Sequence, residues 1–292
     1  MNRTPFLLAP WLLLVPGLLL LTVFLLAPII YGFWISLHEF NGLVIGRWTG
    51  LAHYVEVLRD PGFRTALWHT VVFALIAVIG KNLAGLALAV LVSLTIPGIK
   101  FFRTALFLPV TLNIIVIGSF WTYFLSAARF GGMLNQMLSA LGLQALENSW
   151  LSTPGLALVS VALVEVWRWA GLHMLIFLAG MQSIDPSLYE AARLDGAGAW
   201  NRFIHITLPQ LKPILFVSTL LALMGAFVRS FDVVWVLTRG GFDTQVVVTH
   251  LYGEAFKFGH FDRATAMGYI LLVVIAAISS AYALLTRESQ KP

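Results

Sequence analysis

Six long apolar stretches decide what this chain can fold into. They cover residues 7–37, 67–94, 104–125, 156–178, 214–237 and 264–286. An α-helix needs about 20 apolar residues to cross the hydrocarbon core of a bilayer, and each stretch reaches that length. The pattern therefore predicts an all-α, polytopic membrane protein with six transmembrane helices.

The composition excludes an ordinary soluble protein. Charged residues make up 11% of the chain and hydrophobic residues 59%, whereas soluble domains carry about 25% charged residues. The net charge of +5 includes no run of Lys or Arg that would indicate nucleic-acid binding. Basic residues orient membrane proteins from their cytoplasmic loops, so we expect membrane lipid, and no nucleic acid, around this chain.

The sequence contains none of the motifs that would indicate an enzyme. It has no phosphate-binding G-x-x-x-x-G-K-[ST] loop, no H-E-x-x-H and no G-x-S-x-G. Its seven histidines are scattered, and it has no cysteine, which excludes disulfides and thiolate metal sites. We therefore expect no catalytic residue, no metal site and no cofactor bound by this chain, and transport becomes the default function.

The domain organisation follows from the six spans. Residues 1–292 form a single transmembrane domain, with an extra first span at 7–37 and a core at 66–286. The first apolar run is longer than the 7–15 residues of a cleaved signal peptide, so we interpret it as a retained anchor. The short hairpin 95–103 contains Lys100 and Arg103 and no acidic residue. The positive-inside rule then places both termini in the cytoplasm.

The polar loop 182–213, between the fourth and fifth spans, carries signals for two short helices. Asp185-Pro186 is a typical helix start, because aspartate caps free N–H groups and proline fits the first turn. Gly196 ends the first helix. The second is expected to run from Ala197 and to end before Pro209, because the residue preceding a proline disfavours helix. Two short helices joined at a glycine on the cytoplasmic side indicate a docking surface.

This loop also carries a long motif. Glu190-Ala191-Ala192 is followed after three residues by Gly196, and after nine more by Ile206-x-Leu208-Pro209. The whole pattern resembles the E-A-A loop of permease subunits of ABC importers. Further residues resemble the carbohydrate-uptake branch of that family, with its maltose-type and glycerol-phosphate-type permeases: Asp195-Gly196-Ala197, Phe203, Pro213, Phe102-Arg103, Leu108-Pro109, and the segment 231–238 followed by Gly240-Gly241. Phe242 stands where the family often has proline.

The resemblance implies a type I permease fold and a set of partners. These are a second homologous permease, a dimer of ABC ATPase subunits that binds ATP and Mg, and an extracytoplasmic solute-binding protein. It also implies a bacterial inner-membrane location and import of a sugar, oligosaccharide or polyol-type solute by alternating access. The loop would dock on the ATPase, with Glu190 facing a basic residue and Gly196 allowing the turn. The implied coupling residues are Glu190, Ala191, Ala192, Asp195, Gly196, Ala197, Ile206, Leu208 and Pro209.

Ionisable residues inside the predicted spans are the candidates for solute contact, because such residues usually face a bundle interior or a water-filled path. They are Lys81, Glu165, Arg168, Arg229 and Asp232. Glu165, Arg168, Trp169 and Leu172 share one helix face by their i, i+3, i+4, i+7 spacing. A carboxylate, a guanidinium and an indole on one face suit a sugar, and Phe227 and Ser230 on the fifth span complete the predicted cavity.

Structural interpretations of these charges stay open beside that hypothesis. Glu165 and Arg168 can form an intrahelical ion pair that only neutralises both groups. Lys81 can bind a carboxylate or carbonyl of another helix. Arg229 and Asp232 lie near the outer end of the fifth span, where we expect them to pair or Arg229 to reach the interface.

Two other functions also stay open. An ion-coupled secondary transporter would require inverted repeats and broken helices, and neither is evident in the sequence. A non-transporting membrane scaffold or sensor would bind the ATPase without moving solute.

Overall fold

A computed structural model describes residues 9–94 and 97–288 of the chain. The start of the predicted first span (7–8), part of the hairpin 95–103 and both termini therefore lie outside the described residues. The α-helices are α1 (Ala9–Leu21), α2 (Ala27–Ile35), α3 (Ala52–Arg59), α4 (Pro61–Ser93), α5 (Ile99–Thr111), α6 (Ile114–Phe124), α7 (Met133–Ala140), α8 (Leu156–Gln182), α9 (Pro186–Leu194), α10 (Ala199–Arg202), α11 (Leu208–Gln210), α12 (Lys212–Val228), α13 (Ser230–Leu237), α14 (Val247–Phe256) and α15 (Phe261–Glu288).

Shorter elements complete the described chain. Strands β1 (His38–Phe40) and β2 (Ile45–Trp48) form an antiparallel hairpin with His38 opposite Trp48. Two π-helical turns lie at Thr22–Leu26 and Phe203–Thr207, and two 3₁₀ turns at Ala128–Phe130 and Gln144–Leu146.

The spans are less regular than the six unbroken helices that the sequence predicts. Four helices are long and apolar enough to cross a membrane, namely Leu13–Ile35, Pro61–Ser93, Leu156–Gln182 and Phe261–Thr286. Two further pairs are bent, α5 with α6 by 99° and Ala199–Gln210 with α12 by 65°, and counting each pair as one span gives six.

The prediction of a continuous span at 104–125 is wrong, because the chain turns at Leu112 and Asn113. Leu112 has an extended backbone, and the Asn113 side chain accepts a hydrogen bond from the Ile115 N–H, which caps the new helix. The predicted span 214–237 is likewise divided at Arg229. The sequence analysis assumed that broken helices would indicate a secondary transporter. This chain has broken helices itself, so that feature does not separate the two functions.

The chain forms two compact units, of which the first comprises the chain up to Phe63 together with Leu251–Val273. None of the residues in the most apolar part of Leu13–Ile35 is buried by the rest of the described chain. Their side chains therefore face outward. The Tyr269 hydroxyl donates a hydrogen bond to the Ile29 carbonyl. Arg263 lies 3.7 Å from Asp60 and 3.6 Å from Glu254, which gives this unit a cluster of ion pairs.

The second unit comprises Arg64–His250 and the chain from Val274. Here α5 packs against α8, and α6 against α13. The backbones approach closely at Gly171, where an added Cβ would clash with the Leu106 carbonyl oxygen. Small residues at helix contacts are typical of membrane proteins, because they allow backbones to come close.

A hydrophobic cluster in this unit supports the polar loop. Its buried members are Ala89, Val92, Met174, Phe177, Leu178 and Leu211. Leu211 immediately precedes α12 and is only 1% exposed. The two ends of the polar loop are therefore anchored in one core formed by α4, α8 and α12.

Candidate functional site

The first helix of the loop 182–213 begins as the sequence predicts. The Asp185 carboxylate accepts a hydrogen bond from the Ser187 N–H at 2.9 Å, and Pro186 occupies the first helical position. This hydrogen bond, from the backbone N–H of Ser187 above all, lowers the pKa of the exposed Asp185 carboxyl, because the ionised form is the better acceptor. Asp185 thus caps α9 at its N-terminus.

Gly196 ends α9 in a left-handed conformation with φ of +78°. The Gly196 N–H bonds the Arg193 carbonyl at 3.0 Å, and the Ala197 N–H bonds the Ala192 carbonyl at 2.8 Å. These two bonds form a Schellman motif, which satisfies carbonyls at the helix end. An added Cβ at Gly196 would meet nothing within 4 Å. The glycine is therefore required by its backbone conformation, whereas crowding by neighbours plays no part.

The second helix differs from its prediction. It begins at Ala199, not at Ala197, and it continues past Pro209 to Gln210 through a π-helical turn at Phe203–Thr207. Pro209 then lies in the first turn of α11, where a missing N–H costs least. The prediction that the helix ends before Pro209 is wrong because the widened turn resets the hydrogen-bond pattern ahead of the proline.

A side-chain hydrogen bond joins the two halves of the loop. The Tyr189 hydroxyl lies 2.9 Å from the Thr207 hydroxyl, and Thr207 is buried. The sequence interpretation missed this pair, since neither residue belongs to the motif. The bond holds α9 against the π-helical turn, so the two segments form one structured surface.

The motif residues on this surface are mostly accessible. Glu190, Ala191, Asp195, Gly196, Leu208 and Pro209 are exposed, and Ala192, Ala197 and Ile206 are half-buried. Large apolar side chains accompany them, with Leu194 at 90% and Trp200 at 69% exposure. Exposed apolar groups beside charged ones are typical of a protein-binding surface.

A surface cavity of about 320 Å³ adjoins Glu190. It is lined by Met181, Gln182, Ile184, Pro186, Tyr189, Glu190 and Arg193. Glu190 and Arg193 bring both signs of charge to its rim. The cavity lies between the end of α8 and α9, so a partner side chain entering it would contact both helices.

The sequence did not specify which charged residues of the membrane-spanning part form an ion pair. Lys81 Nζ on α4 lies 2.8 Å from Glu165 Oε1 on α8, and both side chains are buried. The alternative intrahelical pair of Glu165 with Arg168 is thus not the one formed. The expectation that Lys81 binds a carboxylate of another helix is confirmed.

Trp169 lies among three cations of the membrane-spanning part. The guanidinium carbon of Arg229 is 4.0 Å from the Trp169 ring centroid, that of Arg168 is 5.4 Å away, and Lys81 Nζ is 5.9 Å away. Arg229 forms no ion pair with Asp232 within 4.0 Å in the part of the chain that the structure describes. The expected pairing of Arg229 with Asp232 is therefore wrong, because Arg229 packs on the indole. We define Lys81, Glu165, Arg168, Trp169 and Arg229 as the charged cluster.

The other predicted cavity residues lie outside the charged cluster. Leu172 is half-buried on α8. Ser230 is fully buried and donates its hydroxyl to the Phe227 carbonyl at 3.3 Å. Phe227 lines an apolar groove of about 180 Å³ with Val71, Ala74, Leu75, Val78, Leu223 and Ile278. Solute contact by Leu172, Phe227 and Ser230 stays a prediction.

A second set of buried polar side chains joins the same helices by hydrogen bonds. His173 Nδ1 lies 2.7 Å from the Ser218 hydroxyl, which donates to Asn82 Oδ1 at 2.7 Å. Ser218 uses its only proton toward Asn82, so His173 Nδ1 carries the hydrogen that Ser218 accepts. Sequence reasoning missed Asn82 and Ser218, because their partners lie on other helices. This chain of bonds fixes the contact between α4, α8 and α12.

Comparison with known proteins assigns a family. Residues 81–289 match the family described as "Binding-protein-dependent transport system inner membrane component". The chain is 31% identical over 277 residues to the lactose transport system permease protein LacF of Rhizobium radiobacter, covering 92% of this chain and 91% of the relative. It is 30% identical over 274 residues to the trehalose/maltose transport system permease protein MalF of Thermococcus litoralis, covering 93% and 91%.

A solved structure extends the comparison to three dimensions. The chain superposes with a TM-score of 0.85 on a chain of a bacterial alginate ABC transporter, crystallised in complex with an alginate pentasaccharide-bound periplasmic protein. The two chains are 26% identical, and the match covers 99% of each.

Proposed function

Because this chain belongs to the family of binding-protein-dependent transport system inner membrane components, we propose that it is the permease subunit of an ATP-driven importer for a carbohydrate. The cargo class is a sugar, oligosaccharide or related polyol-type solute, which the chain moves across the plasma membrane by alternating access. The names of the lactose and trehalose/maltose relatives support this class. The alginate transporter, seen with a periplasmic protein that holds an oligosaccharide, supports it as well.

The assembly contains three kinds of protein partner for this chain. A second homologous permease completes the membrane domain, and a dimer of ABC ATPase subunits binds ATP and Mg. An extracytoplasmic solute-binding protein delivers the carbohydrate. This chain itself contributes no ATPase residue and binds no cofactor, so energy reaches it through a contact with the ATPase.

In this proposal the loop 182–213 contacts the ATPase. The geometry of the loop is the observation that supports this role. The Asp185 cap, the Schellman turn at Gly196 and the Tyr189–Thr207 bond hold α9 and the following turn as one exposed surface. Glu190 is exposed on it without an ion pair within 4 Å among the described residues. A carboxylate displayed in this way is available to a basic side chain of the ATPase.

Glu190→Lys tests the proposal. The reversed charge repels the basic residue of the ATPase, so we expect loss of solute-driven uptake and weaker co-purification of the ATPase, while the chain still inserts in the membrane. Glu147→Lys, which reverses a half-buried carboxylate on the loop before α8, is the matched control. Normal uptake in Glu190→Lys would remove the assigned role of this loop.

The proposed orientation places both termini and the loop 182–213 in the cytoplasm. A reporter fused to the C-terminus and one inserted within residues 126–154 should therefore give opposite signals for cytoplasmic and external location. Equal signals from the two fusions would contradict the proposed number of spans.

A further inference from the structure

The charged cluster contains more positive than negative charge. Lys81, Arg168 and Arg229 surround Trp169, and Glu165 is the one carboxylate within 4.0 Å of any of the three cations in the described residues. Lys81 binds Oε1 of this carboxylate, whose Oε2 is buried without a hydrogen-bond partner. The three cations of the cluster thus share one carboxylate, which leaves an excess of two positive charges in the cluster.

Several donors of the cluster also lack acceptors. Arg168 Nε and Nη1 and Trp169 Nε1 are buried atoms with no hydrogen-bond partner in the described part of the chain. Buried polar groups are nearly always hydrogen-bonded in native proteins, and charges inside membranes are almost always paired. Glu165 Oε2 is also buried without a hydrogen-bond partner, so no hydrogen bond joins it to these N–H groups. The N–H groups therefore indicate a further acceptor.

The fold makes room for one of the guanidinium groups. Gly225 is buried on α12, and an added Cβ there would lie 2.9 Å from Arg229 Nη2. A side chain at this position would compete with the guanidinium for the same space. The glycine thus leaves room for Arg229 to pack on Trp169 of α8, although a long side chain near a span end could otherwise extend to the interface.

We propose that the carbohydrate carried by this permease bears an anionic group, a carboxylate or a phosphate, that Arg168 and Arg229 bind during passage. This inference rests on the proposed function and narrows its cargo. A planar guanidinium presents paired N–H donors that match the oxygens of a carboxylate or phosphate. Hydroxyl groups of a neutral sugar would satisfy the donors but leave the two positive charges uncompensated.

The test uses the complete importer in proteoliposomes of neutral lipid, with its second permease, ATPase dimer and solute-binding protein. ATP-driven uptake is measured for a hexuronate oligosaccharide, a sugar phosphate and a neutral oligosaccharide, each at a concentration that saturates the solute-binding protein. We expect uptake of one of the acidic solutes, and which of the two is taken identifies the anionic group.

Variants of this chain then test whether Arg168 and Arg229 bind the anionic group of the solute. Arg168→Gln and Arg229→Gln should each lower uptake of the acidic solute about tenfold to a hundredfold, the effect of losing a charge-assisted hydrogen bond. Arg129→Gln is the matched control, because it neutralises an exposed guanidinium that is not part of the charged cluster. This variant should leave uptake unchanged. Unchanged uptake in both cluster variants would overturn the inference and would mean that a partner permease balances the charge.

A measurement on the unmodified protein covers the case in which the variants fail to assemble. The carboxyl groups of the hexuronate are reduced to alcohols, and uptake of the reduced solute is compared with that of the acid. Loss of uptake supports the inference, whereas equal uptake overturns it. An importer that moves only neutral sugars also overturns the inference but leaves the proposed function intact. Absence of ATP-driven uptake for every sugar contradicts the proposed function itself.

Discussion

The loop 182–213 and the charged cluster are stabilised in opposite ways. In the loop, the hydrogen bonds that shape α9 and its ends join residues no more than five positions apart, as at Asp185 and Gly196. In the cluster, Lys81 and Glu165 lie 84 positions apart on different helices and are both buried. The loop surface is exposed to water, whereas the Lys81–Glu165 pair is enclosed by helices.

This difference predicts how each region responds to mutation. An exposed loop tolerates most side-chain changes but depends on a few backbone conformations. A buried ion pair depends on both partners, because removal of one leaves an uncompensated charge in a low-dielectric environment. Damage to the loop should therefore impair coupling with little loss of stability, and damage to the Lys81–Glu165 pair should impair stability first.

The largest expected effect is that of Lys81→Met. It leaves the Glu165 carboxylate buried without its partner, and breaking a buried pair costs roughly 3–5 kcal/mol of folding free energy. We expect a clear fall in the midpoint of thermal unfolding of the detergent-solubilised protein. The double variant Lys81→Met/Glu165→Leu should recover most of the loss, because replacing both partners by apolar residues is often neutral.

A second double variant sharpens this prediction. Glu165→Leu strands Lys81, so combining it with Arg168→Met should give no comparable recovery, since Arg168 is not the partner of Glu165. Recovery by the Arg168 change in place of the Lys81 change would show that the intrahelical pair dominates. The cluster would then depend, like the loop, on contacts between residues close together in the sequence.

A smaller effect is expected at Gly196. Gly196→Val forces a β-branched residue to φ of +78°, and the left-handed conformation costs an L-residue roughly 1–2 kcal/mol. Co-purification of the ATPase and solute-driven uptake should fall, while the unfolding midpoint stays near that of the unmodified protein. Gly196→Asn is the matched control, because asparagine tolerates this region best among non-glycine residues. Equal losses in the two variants would mean that side-chain crowding in the assembled complex, and not the backbone, decides.

The smallest effect concerns the pH dependence of the cap at Asp185. The pKa of this carboxyl is lowered in the folded protein by the Ser187 N–H. Its contribution to stability is therefore complete above the ordinary pKa of an aspartate. It declines as the pH falls below that value and is absent below the lowered pKa.

Hydrogen exchange of residues 186–194 measures this dependence. At each pH, the unmodified protein should be compared with Asp185→Asn, which keeps a capping side chain that does not titrate in this range. The difference between the two should change only on acidification through the aspartate range. A constant difference at every pH would show that ionisation of Asp185 plays no part in the cap.

The loop could be predicted in detail from the sequence because its determinants are local. Asp185-Pro186 and Gly196 specify a start and an end whatever the rest of the chain does, and both predictions are confirmed. The prediction failed at Pro209, where a π-helical turn precedes the proline. A rule based on α-helical geometry alone does not allow for that turn.

The cluster could be predicted only in part because its geometry depends on packing. Periodicity correctly places Glu165, Arg168 and Trp169 along one side of α8, but it does not say which residue of another helix they meet. The pairing with Lys81 and the packing of Arg229 on Trp169 follow from contacts of α8 with α4 and α12. The turn at Leu112 and Asn113 is missed for a similar reason, since the hydropathy of 104–125 is continuous across it.

The separation of Lys81 from Glu165 also has a consequence for biosynthesis. A chain made from its N-terminus produces α4 before α8, so the ammonium group of Lys81 enters the insertion machinery 84 residues ahead of its carboxylate. At roughly 5–20 residues per second, the interval lasts about 4 to 17 seconds. Until α8 is made, the cost of about 2.5–3.5 kcal/mol for a lysine near the middle of a nascent span is offset by the other residues of α4. At 33 residues, α4 is the longest of the four unbroken helices that can span a membrane.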